Sequence, residues 1–126
     1  MTPGQYILVV DDDDDFRETL AEVLAEAGYP VQQAGNGEAA LQKVAEEAPG
    51  IVLLDLKMPV LDGWGVMERM RAEPRSAAVP ILILSAYGFE WESELLGAQG
   101  FIPKGVGMDE ILERVRRAAG DPPLRH

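Results

Sequence analysis

Residues 51–55 read IVLLD, and this stretch decides how the rest of the chain is interpreted. Four apolar residues lie between the turn pair Pro49-Gly50 and a second proline, Pro59, which is typical of a strand buried on both faces. The run ends in Asp55, and a carboxylate is costly to remove from water unless it is paired, metal-bound or at a wet edge. Because open α/β sheets bind ligands at the carboxyl ends of their strands, Asp55 is either a reactive acid or a capped structural one.

Composition and charge restrict the class of protein. The chain has 126 residues, which suits one domain with one real core. Its net charge of −11 argues against direct nucleic-acid binding, since that mode needs clustered Lys and Arg. No apolar run approaches the roughly 18 residues that span a bilayer, and the N-terminus has no signal-peptide pattern. Cysteine is absent, which excludes disulfides and thiolate metal sites. We therefore expect a cytoplasmic protein that makes no membrane contact.

Short apolar runs alternate with helical periods along the whole chain, which predicts a (βα)₅ fold with a parallel sheet. Asp13, Asn36 and Asp62 are candidate helix N-caps. We expect one domain over residues 1–120 and a frayed tail over 121–126. The predicted strands are 6–10, 30–34, 51–56, 80–86 and 100–104, and the predicted helices cover about 16–27, 36–45, 64–72, 90–96 and 108–118.

Reactive residue types follow several of these strands. Asp11 and Asp12 end the first strand, Asp55 the third, Ser85 the fourth and Lys104 the fifth. Clustered carboxylates raise one another's pKa unless a cation neutralises them, and oxygen-only ligands favour a hard ion such as Mg²⁺. Mg²⁺ with a nearby ammonium and hydroxyl suits a phosphoryl group, because the positive charge neutralises the equatorial oxygens of that group. A carboxylate in that setting can act as a nucleophile and become an aspartyl phosphate.

Five motifs follow one another along the chain: ILVVDDDDDF at 7–16, AGNGEAAL at 34–41, IVLLDLKMPVLDGW at 51–64, PILILSA at 80–86 and GAQGFIPK at 97–104. In their order and spacing, from about Tyr6 to Gly120, the chain resembles the receiver domain of two-component response regulators of the single-domain, chemotaxis-regulator-like kind. The resemblance implies a flavodoxin-like, doubly wound sheet of five parallel strands in the order 2-1-3-4-5.

The resemblance also implies roles for the acids. Asp55 would be the phosphoacceptor of a phosphorelay and would receive a phosphoryl group from the phosphohistidine of a sensor histidine kinase or a phosphotransfer protein. Asp11 and Asp12 match the family's metal-binding pair. With Asp55 and the backbone carbonyl of Lys57, they would bind Mg²⁺.

The resemblance assigns further roles at the ends of the last two strands. Ser85 and Lys104 would each contact a phosphoryl oxygen, and Phe101 matches the aromatic switch position, coupled to Ser85. The domain would then be a signalling switch that is not a turnover enzyme. It would act on a downstream protein through the face formed by the fourth helix, fifth strand and fifth helix.

Two departures from the family pattern stand out. The family usually follows its lysine with a proline in a cis peptide, whereas Lys104 is followed by Gly105. Since a non-proline cis bond costs about 2.5–4 kcal/mol, we predict a trans bond here. The segment between Ser85 and Lys104 is also shorter than usual, which predicts a shortened fourth helix.

The short segment prompts the hypothesis that Phe89 and Trp91 are apolar anchors of a modified output surface. A second hypothesis concerns Tyr87, two residues after Ser85, and Lys57, two residues after Asp55. Both are candidates for shielding an acyl phosphate from water, which would make the phosphorylated form persistent.

Two other functions remain open at this point. A degenerate receiver would bind a partner without phosphorylation, and the missing Lys-Pro pair motivates that interpretation. A haloacid-dehalogenase-type phosphatase would use Asp11 in place of Asp55 as its nucleophile, but the chain lacks a cap segment. An EF-hand over 11–22 is rejected, because Phe16 occupies the position that needs glycine.

Overall fold

A computed structural model describes residues 1–86 and 97–123. Its five strands form one parallel sheet in the order β2-β1-β3-β4-β5, which confirms the predicted topology. Residues 87–96, with the predicted short fourth helix, and residues 124–126 lie outside the described part. The strands are β1 Ile7–Val10, β2 Val31–Ala34, β3 Ile51–Asp55, β4 Ile81–Ser85 and β5 Gly100–Pro103; the helices are α1 Asp14–Glu26, α2 Gly37–Glu46, α3 Gly63–Ala72 and α4 Met108–Ala119. Helix α4 is the predicted fifth helix.

The three central strands are buried along their whole length, as their uninterrupted apolar sequences predict. Strand β2 is at an edge and exposes Gln32 and Gln33. Alternate residues of the strands enter two separate cores, one on each face of the sheet. The α1/α4 core contains Val9, Leu53, Leu84 and Ile102 with Leu20, Leu24, Ile111 and Val115. The α2/α3 core contains Val10, Leu54 and Ile83 with Ala40, Val44, Val66 and Met67.

Side-chain caps start the first three helices at the edge where the strands end. Asp13, Asn36 and Asp62 each accept a hydrogen bond from the backbone N–H three residues later, at 3.2, 2.8 and 3.0 Å. These bonds satisfy N–H groups that have no partner within a helix, and they confirm the three predicted caps.

A glycine allows α3 to begin against the end of β3. A Cβ atom at Gly63 would collide with the backbone carbonyl oxygen of Asp55, so any larger residue would push helix and strand apart. The Gly63 N–H also donates to the carbonyl of Leu56 at 3.0 Å. The loop that follows Asp55 is therefore held tightly at both of its ends.

The part of the chain that the structure describes contains no helix long and apolar enough to cross a membrane.

A hydrogen bond joins the end of α4 to the start of β2. The Tyr29 hydroxyl donates to the Gly120 carbonyl at 2.5 Å.

Val60 carries the main backbone strain in the loop between β3 and α3. Its φ is +69°, in the left-handed region, and its side chain is 99% exposed. A left-handed conformation costs an L-residue about 1–2 kcal/mol, and a β-branched side chain suits it poorly, whereas Asn tolerates it.

We expect Val60→Asn to raise the free energy of unfolding by about 1 kcal/mol in urea denaturation. Val60→Thr is the control, since it adds polarity but keeps the branch. Equal stabilities of the Asn and Thr variants would contradict this explanation.

Candidate functional site

The strand register places the predicted site residues at one edge of the sheet. Val10 pairs with Leu54, so Asp11 and Asp55 follow side by side on neighbouring strands. Asp55 in turn pairs with Leu84, the residue before Ser85. Ser85 pairs with Pro103, and Lys104 comes next. The edge therefore collects the two acids, the hydroxyl and the ammonium through backbone pairing alone.

Strand periodicity divides these residues between the two faces. Asp11, Asp55 and Lys104 are each two positions after a strand residue of the α1/α4 core, so they share that face. Ser85 is two positions after a residue of the α2/α3 core, and Phe101 is half-buried against the same core. The acids and the lysine thus form one group, and Ser85 and Phe101 belong to the opposite face.

Three carboxylates lie close together at this edge. Asp11, Asp12 and Asp55 each offer an oxygen, and these oxygens all lie within 4.8 Å of one another. Asp11 is fully buried and Asp55 is 5% exposed, whereas Asp12 faces solvent. Such proximity in a desolvated setting is unfavourable while all three groups are ionised.

The pKa of Asp55 reflects this crowding. Burial, followed by the charge of Asp11, raises the pKa of the Asp55 carboxyl from its ordinary 3.8 to about 6. The Lys104 ammonium and a hydrogen bond from the Lys57 N–H act in the opposite direction, and Asp12 adds a smaller increase. Burial and the neighbouring acids outweigh these two effects, so the folded protein ionises Asp55 less readily than the unfolded chain does.

Lys104 is the cation nearest to the two buried acids among the described residues. Its Nζ lies 2.6 Å from Oδ2 of Asp11 and 3.6 Å from Oδ1 of Asp55. The other Asp11 oxygen accepts from the Asp13 N–H at 2.9 Å, and Asp55 Oδ1 accepts from the Lys57 N–H at 3.4 Å. Oδ2 of Asp11 is buried and, within the described residues, has this ion pair but no contact with hydrogen-bond geometry. Oδ2 of Asp11 can therefore still accept a hydrogen bond or coordinate a metal cation.

The backbone reaches Lys104 without a cis peptide. The described residues contain no cis bond, so Lys104–Gly105 is trans, as the sequence predicted. The Lys104 N–H donates to the Ser85 carbonyl at 2.9 Å, which extends the pairing of β4 with β5 by one step. The ammonium still enters the acid cluster, so the replacement of proline by glycine does not remove it from the site.

Sequence reasoning missed two residues in the first turn of α1. The Arg17 guanidinium donates to the backbone carbonyl of Asp11 at 2.9 Å and pairs with Asp14 at 2.7 Å, which holds the acidic loop against the helix. The Phe16 ring lies beneath the Lys104 ammonium, with 4.8 Å from Nζ to the ring centroid. The signal available was their position directly after the acidic run. The partners of Arg17 are local in sequence, whereas the contact of Phe16 with Lys104 depends on the tertiary fold.

The remaining predicted residues are placed as follows. The Lys57 side chain is exposed, and its contact with the cluster is the N–H bond to Asp55. Ser85 is buried at the end of β4. Tyr87, Phe89 and Trp91, on which the shielding and docking hypotheses depend, lie outside the described residues.

The donor set fits a hard divalent cation. All candidate ligands are oxygens, two of the three carboxylates are buried, and one buried oxygen lacks a hydrogen bond within the described residues. A bound cation would relieve the repulsion that raises the pKa of Asp55.

Comparisons with known proteins agree on one family. Residues 7–116 match the model of the response regulator receiver domain. The chain is 39% identical over 117 residues to sporulation initiation phosphotransferase F of Bacillus subtilis, and this match covers 90% of the chain and 93% of the relative. It is 34% identical to the DNA-binding dual master transcriptional regulator RpaA of Synechocystis, where it covers 87% of the chain but 47% of the relative.

A solved structure has the same fold. Chemotaxis protein CheY4 of Vibrio cholerae superposes with a TM-score of 0.84 at 28% identity, and the match covers 90% of this chain and 97% of that one.

The raised pKa of Asp55 predicts a specific pH dependence of stability. Between pH 4 and 6 the folded state holds a proton on Asp55 that the unfolded chain has released. The free energy of unfolding should therefore fall as the pH rises through this window and level off above it. Asp55→Asn removes this effect, so its stability advantage over wild type should grow by on the order of 2 kcal/mol from pH 4 to pH 6.5.

Urea denaturation in EDTA measures this advantage. Asp15→Asn, at an exposed position in α1, controls for the change in net charge. An Asp55→Asn advantage that stays constant with pH would contradict the raised pKa of Asp55.

Proposed function

This chain belongs to the response regulator receiver domain family, and we propose that it is a phosphoacceptor switch in which Asp55 receives the phosphoryl group. The observation that carries the proposal is the position of Asp55. Its carboxylate lies beside two further acids and 3.6 Å from the Lys104 ammonium, at the carboxyl ends of the strands. We further propose a cytoplasmic location and a role in signalling without turnover of a substrate.

The transfer itself is an in-line displacement at phosphorus. An oxygen of Asp55 attacks the phosphorus of a phosphohistidine on a sensor histidine kinase or phosphotransfer protein, and the O–P bond forms as the P–N bond breaks. The imidazole nitrogen of the donor keeps the electron pair of the broken bond. Lys104 is close enough to Asp55 to pair with an oxygen of the transferred group, and Ser85 brings a hydroxyl to the same edge.

The acid cluster supports a requirement for Mg²⁺. Asp11, Asp12 and Asp55 would hold the ion through carboxylate oxygens, and the Lys57 backbone carbonyl is the fourth proposed ligand. When bound, the ion supplies positive charge to the oxygens of the transferred group. Asp11 contributes an oxygen that is already buried and without a hydrogen bond in the described part of the chain.

Phosphorylation would shift an existing equilibrium between two states of the domain. Ser85 and Phe101 lie on the same face of neighbouring strands, which supports their proposed coupling as a switch pair. The proposed output surface includes β5 and α4 and extends into residues outside the described part. A net charge of −11 favours a protein partner over nucleic acid.

Chemical phosphorylation tests the proposal. The protein is incubated with Mg²⁺ and acetyl phosphate, and the product is analysed by intact mass and by peptide mapping. We expect a base-labile adduct of one phosphoryl group that is lost in Asp55→Asn. Asp62→Asn is the matched control, since asparagine also caps α3 and the adduct should persist.

Other outcomes would replace the proposal. An adduct that survives in Asp55→Asn would overturn the assignment of the acceptor. Absence of any adduct, with no response to beryllofluoride, would favour a receiver that binds its partner without phosphorylation. Turnover of a phosphomonoester that depends on Asp11 would indicate a phosphatase.

A further inference from the structure

The backbone after Lys104 gives its side chain little support. Gly105 follows in a trans peptide, and a Cβ atom added there would meet nothing within 4 Å. Glycine also has the widest choice of backbone conformations. The long lysine side chain must therefore be located by contacts at its tip, and residues in the described part of the chain provide three of them.

Two of these contacts are with groups whose charge changes in the proposed reaction. Nζ lies 2.6 Å from Asp11 and 3.6 Å from Asp55. A cation in the acid cluster would compete for the same oxygens, and Asp55 would become an acyl phosphate. Neither carboxylate can hold the ammonium in one place throughout the cycle.

The third contact does not change its charge. Nζ lies 4.8 Å from the centroid of the Phe16 ring, within the range of a cation–π interaction. The Lys104 side chain is only 19% exposed, and partial desolvation strengthens such contacts. The ring is available to the ammonium whether the acids are free, bound to a cation or phosphorylated.

Phe16 itself is held firmly. Its N–H donates to the capping carboxylate of Asp13 at 3.2 Å, and its half-buried ring packs against the α1/α4 core. The next residue, Arg17, is bonded to the Asp11 carbonyl. The ring therefore has a defined position relative to the acid cluster.

We propose that Phe16 is a positioning residue, whose ring face holds the Lys104 ammonium where it meets an oxygen of the incoming phosphoryl group. Phe16 would thus supply the constraint that a proline after the lysine supplies elsewhere in the family. The inference rests on the proposed function for its role in phosphorylation, but the contact itself can be tested separately.

Stepwise fluorination of Phe16 tests the contact with little change of ring shape. The residue is replaced with 4-fluoro-, 3,5-difluoro- and 3,4,5-trifluorophenylalanine by site-specific incorporation. Each added fluorine makes the electrostatic potential of the ring face less negative. We expect the rate of Asp55 phosphorylation by acetyl phosphate at saturating Mg²⁺ to fall with each step, by about 3- to 10-fold in total. Phe16→Leu should lose at least as much, and Phe16→Trp should keep the wild-type rate.

The same series in a Lys104→Gln background separates positioning from packing. Fluorination should have no effect there, because the ammonium is absent. An equal loss of rate with and without Lys104 would overturn the inference and indicate a structural role for the ring. A rate that does not respond to fluorination in the wild-type background would also overturn it, while leaving Asp55 as acceptor.

The NMR chemical shift of the Lys104 ammonium can be measured on protein that has not been phosphorylated. We expect its ¹⁵N and ¹H resonances to move stepwise with fluorination of Phe16, even if wild-type protein forms no adduct. In that case the proposed function would fail and the contact would stand. Resonances that are the same across the series would show that the ring does not hold the ammonium.

Discussion

The burial of two neighbouring carboxylates that repel each other, Asp11 and Asp55, is the constraint on which the rest of the site depends. Burial and the neighbouring charge raise the pKa of Asp55 to about 6, although an ammonium lies within 4 Å. The backbone N–H groups of Asp13 and Lys57 reduce the cost of these charges without removing it. The site should therefore gain stability from positive charge. Lys104 supplies one such charge, and a bound metal cation would supply more.

The fold creates this repulsion through elementary strand geometry. Parallel pairing sets Asp11 beside Asp55, and the two-residue period of a strand turns both towards the α1/α4 core, as it does Lys104. Ser85 and Phe101 lie on the face of the other core, but Ser85 ends its strand at the same edge of the sheet as Asp55.

Much of this arrangement could be predicted from sequence because local signals determine it. The apolar runs specify buried strands, the caps at Asp13, Asn36 and Asp62 start the helices, and polar residues at strand ends must meet at one edge. The contact of Phe16 with Lys104 could not be predicted in this way, since it joins residues from opposite ends of the chain. Val60 is unpredictable for another reason: its left-handed conformation is one that its own side chain disfavours and the loop between β3 and α3 imposes.

The most direct test of whether the acid cluster gains stability from added positive charge is the dependence of unfolding free energy on Mg²⁺ concentration at pH 7.5. For wild-type protein, we predict a rise of about 1.4 kcal/mol for each tenfold increase in Mg²⁺ above its dissociation constant. Asp11→Asn and Asp55→Asn should each flatten this dependence, and Asp15→Asn should keep it. The same dependence in all four proteins, or none in wild type, would contradict the account.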